Sequence, residues 1–128
     1  MRAVDTNVLV RLIARDDSRQ TRAAEAFIEK GAWVSLLALT ETTRVVSRAY
    51  ILTPKNLAIA VDMLLNHRDL ILQDSNTIAT ALELCRSSPA LGFSDCLMLE
   101  MSRKAGNLPP GTFDRQLAKA DDAQLLTR

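Results

Sequence analysis

Short apolar runs alternate along this chain with stretches of helical periodicity, and that alternation restricts the fold more than any other feature. Residues 1–4 (Met-Arg-Ala-Val) form an apolar opening that ends at Asp5 and gives way to a helix through Val8, Leu9 and Leu12. Asp16-Asp17-Ser18 starts a second helix, with Ala24, Phe27 and Ile28 at i, i+3 and i+4 and Gly31 as its stop. Trp33-Val34-Ser35-Leu36 reads as a second strand. A helix over residues 38–51 is broken before Pro54. The next helix repeats Leu57, Ala60, Val61, Leu64 and Leu65 on one face, so the two form a helical hairpin. Leu70-Ile71-Leu72 is a third strand, followed by a helix with Ile78, Ala81, Leu82 and Cys85 on one face that runs to Ser87. Ser94-Asp95 opens a helix through Leu97, Met98 and Met101 that Gly106 ends. Residues 109–113 hold a short strand, Asp114 starts a brief helix, and residues 123–126 read as an edge strand. The pattern predicts an α/β domain whose short, mostly parallel sheet is covered on both faces.

With 128 residues, the chain reads as one domain spanning 1–128, large enough to bury a core without disulfides or structural metal. Aromatics are only 4%, so Leu, Ile, Val and Ala must fill that core. Cys85 and Cys96 lack metal-motif spacing and are expected as reduced core residues of a cytoplasmic protein. No run approaches the ~18 apolar residues of a membrane span, and the N-terminal apolar stretch is interrupted by Asp5, Asn7 and Arg11, unlike a signal peptide. A net charge of +1 gives no global basic footprint, so any nucleic-acid contact must use a local patch.

Four acids fall where solvent alone does not explain them. Asp5 ends the first strand and opens a helix, at the carboxyl edge where open α/β sheets form ligand sites; it equally reads as a helix cap. Glu41 lies four residues after Leu37 and four before Val45, which puts it on an apolar helix face. A lone ionised Glu facing a core costs several kcal/mol unless paired or bound to a cation. The alternatives are an i, i+3 salt bridge with Arg44 or a helix rotated to expose Glu41. Asp95, beside the equally good cap Ser94, opens a later helix, and Asp114 sits at one more strand-to-helix junction. One shared cation accounts for all four. Hard oxygen donors without His or Cys point to Mg²⁺ or Mn²⁺ rather than zinc. Thr112 supports the site or caps, and Asn7 reads better as a cap.

Val4-Asp5-Thr6-Asn7-Val8-Leu9, Glu41 after Ser35-Leu36-Leu37, Phe93-Ser94-Asp95 and Thr112-Phe113-Asp114-Arg115 occur in an order that resembles PIN-domain nucleases, most closely the VapC-type toxins of toxin–antitoxin pairs. The resemblance covers nearly the whole chain. It implies a three-layer α/β/α sandwich, a homodimer, endoribonuclease activity and inhibition by a cognate VapB-like antitoxin. It also implies that the metal ligands are Asp5, Glu41, Asp95 and Asp114. The chain departs from the family pattern at Leu108-Pro109-Pro110-Gly111, where an apolar strand is usual, and at Cys96, where a small residue is usual.

The expected chemistry is in-line attack on an RNA phosphodiester by a metal-activated water, leaving a 5′-phosphate and a 3′-hydroxyl. Arg11, Arg15, Arg44, Arg48, Arg115 and Lys119 are the candidate contacts to RNA or a partner, each also readable as a solvated helix face. The apolar hairpin at 38–66 is a candidate groove for an antitoxin helix. Two rivals remain at this point. A haloacid-dehalogenase-type phosphatase needs a second Asp two residues after the first, where this chain has Asn7. A catalytically silent PIN-like binding module would keep the fold and lose the metal.

Overall fold

Strand β1 (Arg2–Ala3) is short, but Val4 prolongs its pairing by donating its N–H to the Trp33 carbonyl, and Asp5 then caps helix α1 (Thr6–Ala14). The computed structural model describes residues 1–120 and 122–127. The chain divides into two compact units, Met1–Ser75 and Asn76–Arg128.

In the first unit α1 ends with Arg15 in the left-handed region, its N–H returned to the Arg11 carbonyl. Asp17 caps α2 (Ser18–Ile28) by accepting from the Gln20 N–H. The chain leaves α2 through Gly31 at φ 94°, a conformation that favours glycine. Strand β2 (Ala32–Val34) follows, and Ser35 caps α3 (Leu36–Ala49). Leu36 therefore belongs to the helix, not to the strand. Thr53 caps α4 (Pro54–Leu65), with Pro54 in the first turn, where its missing N–H costs nothing. Strand β3 (Leu70–Leu72) completes a parallel sheet of order β1-β2-β3, in register Arg2↔Ala32↔Leu70 and Ala3↔Trp33↔Ile71. Helix α1 packs on α2 and α3, α3 on α4, and α4 on β3.

Burial alternates along the strands of the sheet. Ala32, Val34, Leu70 and Leu72 are buried, while Trp33 and Ile71, alternating with them, are 37% and 55% exposed. Strands only three residues long place one side chain each on that face.

The second unit holds α5 (Ser75–Ser87, beginning at the boundary), α6 (Phe93–Lys104), a 3-10 turn (Leu117–Lys119) and a two-stranded parallel ladder of β4 (Gly111–Thr112) and β5 (Gln124–Leu125). The prolines before β4 shorten it because neither has an N–H to donate, but the Pro110 carbonyl still accepts from Gln124. The leucines of α5 and α6 supply the core as expected, whereas Met98 and Met101 face out. The α/β class with a small parallel sheet is the observed one.

Both cysteines are buried and free. Burial, and then the neighbouring Cys85, push the Cys96 thiol up to about 12, so almost no reactive thiolate exists near neutrality. A thiol-disulfide colour reagent at pH 8 is expected to titrate neither cysteine in the native protein and both after denaturation. Reaction of either within minutes under native conditions contradicts this packing.

Candidate active site

Asp95 occupies the first turn of α6, whose N-cap is Gly92 without a side-chain cap bond. The expected cap, Ser94, lies inside the helix, because the helix begins at Phe93, whose ring is buried. Asp95 is half-buried, and its carboxylate turns back toward Gly92; a Cβ at that glycine would stand 3.9 Å from Oδ2. A helix N-terminus favours an anion, yet the Asp95 pKa is raised, first by desolvation and second by repulsion from Asp114. Within the second unit the charges of two of the four predicted acids therefore interact.

Asp114 is exposed and already engaged on one oxygen. Its Oδ1 accepts from the N–H groups of Gln116 (2.8 Å) and Leu117 (3.3 Å), which leaves Oδ2 without a hydrogen bond among the described residues. The Asp114 N–H is held by Thr112 Oγ1 at 2.9 Å. Thr112 therefore positions the backbone of Asp114.

In the first unit Asp5 Oδ1 accepts from the Thr6 N–H at 2.7 Å and its carbonyl accepts from Val8, so the capping role is real. Its other carboxylate oxygen has no hydrogen bond among the described residues. Asn7 is exposed and makes no capping bond; with Arg11 and Phe27 it lines an open groove of about 540 Å³ between α1 and α2.

Glu41 does not face the core. Helix α3 buries Ala38, Leu39, Thr42, Thr43 and Val46, while Leu37 is 73% exposed and Val45 shares its exposed side. Glu41 lies on that outer stripe, its Oε1 3.5 Å from Arg44 Nη1. In neither unit do three or more His, Cys, Asp or Glu side chains among the described residues form a group able to hold a metal ion.

The candidate arginines divide in two. Arg11 pairs with Asp16 at 2.7 Å and reaches the Tyr50 hydroxyl, which itself donates to Asp16. That hydroxyl, followed by weaker contributions including the Arg11 charge, lowers the Asp16 pKa overall despite partial desolvation. Arg15 pairs with Glu25, and Arg44 with Glu41. Arg48, Arg115 and Lys119 are exposed and have no ion pair among the described residues.

One buried acid escaped the sequence reading. Glu100 is only 8% exposed, with Arg103 Nε donating to its Oε2 at 3.3 Å; Arg103 also binds Asp122. Its spacing of four from Cys96 and three from Leu97 on one helix face was the available signal. The ion pair makes it a compensated structural charge.

A sequence model of the PIN domain matches residues 2–123. No curated protein matches the chain in sequence. Among solved structures, the crystal structure of Mycobacterium tuberculosis VapC20, a sarcin-ricin loop cleaving toxin, is similar at 17% identity, with 97% of this chain and 98% of that chain covered and a TM-score of 0.45.

Proposed function

The chain belongs to the PIN domain family, and from that membership we propose that it is a divalent-metal-dependent endoribonuclease of the VapC type. The acids proposed to act in cleavage are Asp5, Glu41, Asp95 and Asp114. The phosphatase alternative falls with the family membership. The observation that carries the reading is the half-buried Asp95, turned back toward Gly92, with its proton affinity raised by desolvation and then by the charge of Asp114. A desolvated carboxylate whose charge is further disfavoured by a second acid is a poor arrangement for a silent surface and a good one for a cation.

The donor set fits Mg²⁺ or Mn²⁺. Both groups are hard oxygens, and Mg²⁺ is commonly held by one or two carboxylates, with water and phosphate oxygens completing its shell. When bound, such an ion supplies neutralising charge for the phosphate and an activated water. The residues do the rest. Gln116 and Leu117 fix one oxygen of Asp114 and leave the other for a ligand, and Thr112 holds that residue's backbone in place. Asp95 sits on a regular helix, so its direction is set by rigid backbone.

A VapB-like antitoxin is proposed to inhibit the enzyme by covering the exposed apolar residues of the α3–α4 hairpin, among them Leu37, Val45, Ile59 and Met63. A homodimer and a cytoplasmic location belong to the same reading. Among the described residues no helix is long and apolar enough to cross a membrane.

Incubating the purified protein with total RNA and Mg²⁺ is expected to give discrete fragments whose new 5′ ends carry phosphate and ligate directly to an adaptor, and the antitoxin should stop that cleavage. Ends bearing a 2′,3′-cyclic phosphate mean that the RNA's own hydroxyl is the nucleophile, and the proposed chemistry is then wrong.

A further inference from the structure

We propose that Tyr50 is a positioning residue for the acid site: through Asp16 and Arg11 it ties the end of α3 to α1, and so sets where α3 carries Glu41. The inference rests on the ribonuclease reading above. Three side chains distant in the chain close a ring of hydrogen bonds. Arg11 Nη1 donates to Asp16 Oδ1 at 2.7 Å, and Arg11 Nη2 donates to the Tyr50 hydroxyl at 3.4 Å. That hydroxyl donates to Asp16 Oδ2 at 2.8 Å. Arg11 belongs to α1, Asp16 to the turn that follows it, and Tyr50 is the C-cap of α3.

The topology connects this latch to the acids. Strands β1 and β2 are parallel neighbours, and α1 and α3 each start soon after one of them. Both helices therefore leave the same edge of the sheet, α1 with Asp5 as its cap and α3 with Glu41 in its second turn. The start of α3 is held twice. Ser35 Oγ accepts from the Ala38 N–H, and Gln73 Oε1, just past the end of β3, accepts from the Leu36 N–H. A helix fixed at its start can still swing about it, and the latch grips the far end. Helix α3 has 14 residues, about 20 Å at about 1.5 Å each, so releasing its end by about 2 Å moves Glu41 by about 0.7 Å. Reacting groups must be held within about 0.5 Å, and a misplacement of about 1 Å can cost about 10²-fold. Ile51, next after Tyr50, holds φ 49°, a costly conformation for a β-branched residue, and its side chain is 86% exposed, so packing does not hold it there. The tie on Tyr50 constrains the chain just before it. Glu41 is itself loosely held, since its contact with Arg44 is 3.5 Å long and half-exposed and so worth little in water. The ring is also partly exposed, with side-chain exposures of 24% for Arg11 and 48% for Asp16. Such a ring adds little stability, and position is what it contributes.

The test compares Tyr50→Phe, which removes one oxygen and keeps the ring, with Glu41→Gln and the double variant. Tyr50→Phe should lower kcat at saturating Mg²⁺ about 10-fold and leave KM for RNA within about twofold. Its melting temperature in EDTA should shift by less than about 4 °C. Asp16→Asn should show the same loss and add nothing to Tyr50→Phe, since both open one ring. In Glu41→Gln the further change Tyr50→Phe should cost nothing, because the acid that the latch positions is gone. Losses that multiply in that background, or wild-type kcat in Tyr50→Phe, overturn the proposal and leave ribonuclease activity standing. If Tyr50→Phe and Asp16→Asn both melt far below wild type, the ring is a stability element and the proposal falls.

A second readout needs no cleavage. Mg²⁺ should raise the wild-type melting temperature. Tyr50→Phe should raise the half-saturating Mg²⁺ concentration severalfold when Glu41 is present, and leave it unchanged in Glu41→Gln. That pattern in a protein that cuts no RNA keeps the latch and sinks the ribonuclease reading. Equal Mg²⁺ midpoints in the wild type and Tyr50→Phe overturn the proposal. A wild-type protein that neither cuts RNA nor responds to Mg²⁺ sinks both.

Discussion

Replacing Asp95 by Asn is expected to lower RNA cleavage about 10³-fold while leaving the metal-free fold as stable as the wild type, or more so. The two effects have opposite signs because one charge causes both. In the folded chain the Asp95 pKa is raised from 3.8, by desolvation and then by Asp114. The folded state therefore holds its proton to higher pH than the unfolded chain does, and stability falls as pH climbs from about 3.8 through the raised value. Above the raised value that cost is fully present, and asparagine removes it. Thermal melts in EDTA at pH 7 should show the variant at or above the wild-type midpoint, with the difference closing below the ordinary carboxyl range. Asp114→Asn should lose cleavage similarly and keep the turn, since an amide oxygen can still accept from Gln116 and Leu117. A purified Asp95→Asn protein with near wild-type turnover, or one that melts well below wild type at pH 7, defeats the assignment.

What could be read from the sequence was local. Strand β3 falls on Leu70–Leu72 as its apolar run indicated, and the starts of α2 and α4 are marked by capping residues and a first-turn proline. These features depend on neighbours within a few residues, where sequence and geometry are coupled directly. The face of α3 was not readable. Leu37 and Val45 suggested one apolar stripe, but the helix buries Thr42 and Thr43 instead. Their hydroxyls donate to the Ala38 carbonyl at 2.7 Å and the Thr40 carbonyl at 2.8 Å, within their own helix. A threonine that satisfies its hydroxyl this way enters a core at small polar cost, and hydropathy does not register it. That misplaced Glu41, whose alternative pairing with Arg44 is the one observed.

Other parts of the site depended on residues distant in sequence. Arg11, a candidate for RNA contact, is linked to Asp16 directly and through Tyr50, 39 residues away. Asp95 and Asp114 were legible as candidates for a different reason. Both acids sit where a helix or turn begins, so a reader of caps finds them, although only the fold shows that their charges interact.

Removing divalent ions is expected to reduce cleavage to background, with recovery on adding Mg²⁺ or Mn²⁺ but not K⁺. A stability measurement isolates the reason. An ion that binds the folded chain and not the unfolded one stabilises it by about 1.4 kcal/mol at ten times its dissociation constant, roughly 5 °C in a domain of this size. The same ion draws the proton from Asp95, because a divalent charge beside the carboxylate outweighs the repulsion from Asp114. The gain should therefore grow as pH rises from the ordinary carboxyl range toward neutrality. In Asp95→Asn and Asp114→Asn the shift should shrink severalfold, even though neither starts from a weakened fold. A catalytically silent binding module predicts no shift in any of the three proteins. Equal shifts in all three mean that the ion binds elsewhere, and Asp95 and Asp114 then lose their place in the mechanism.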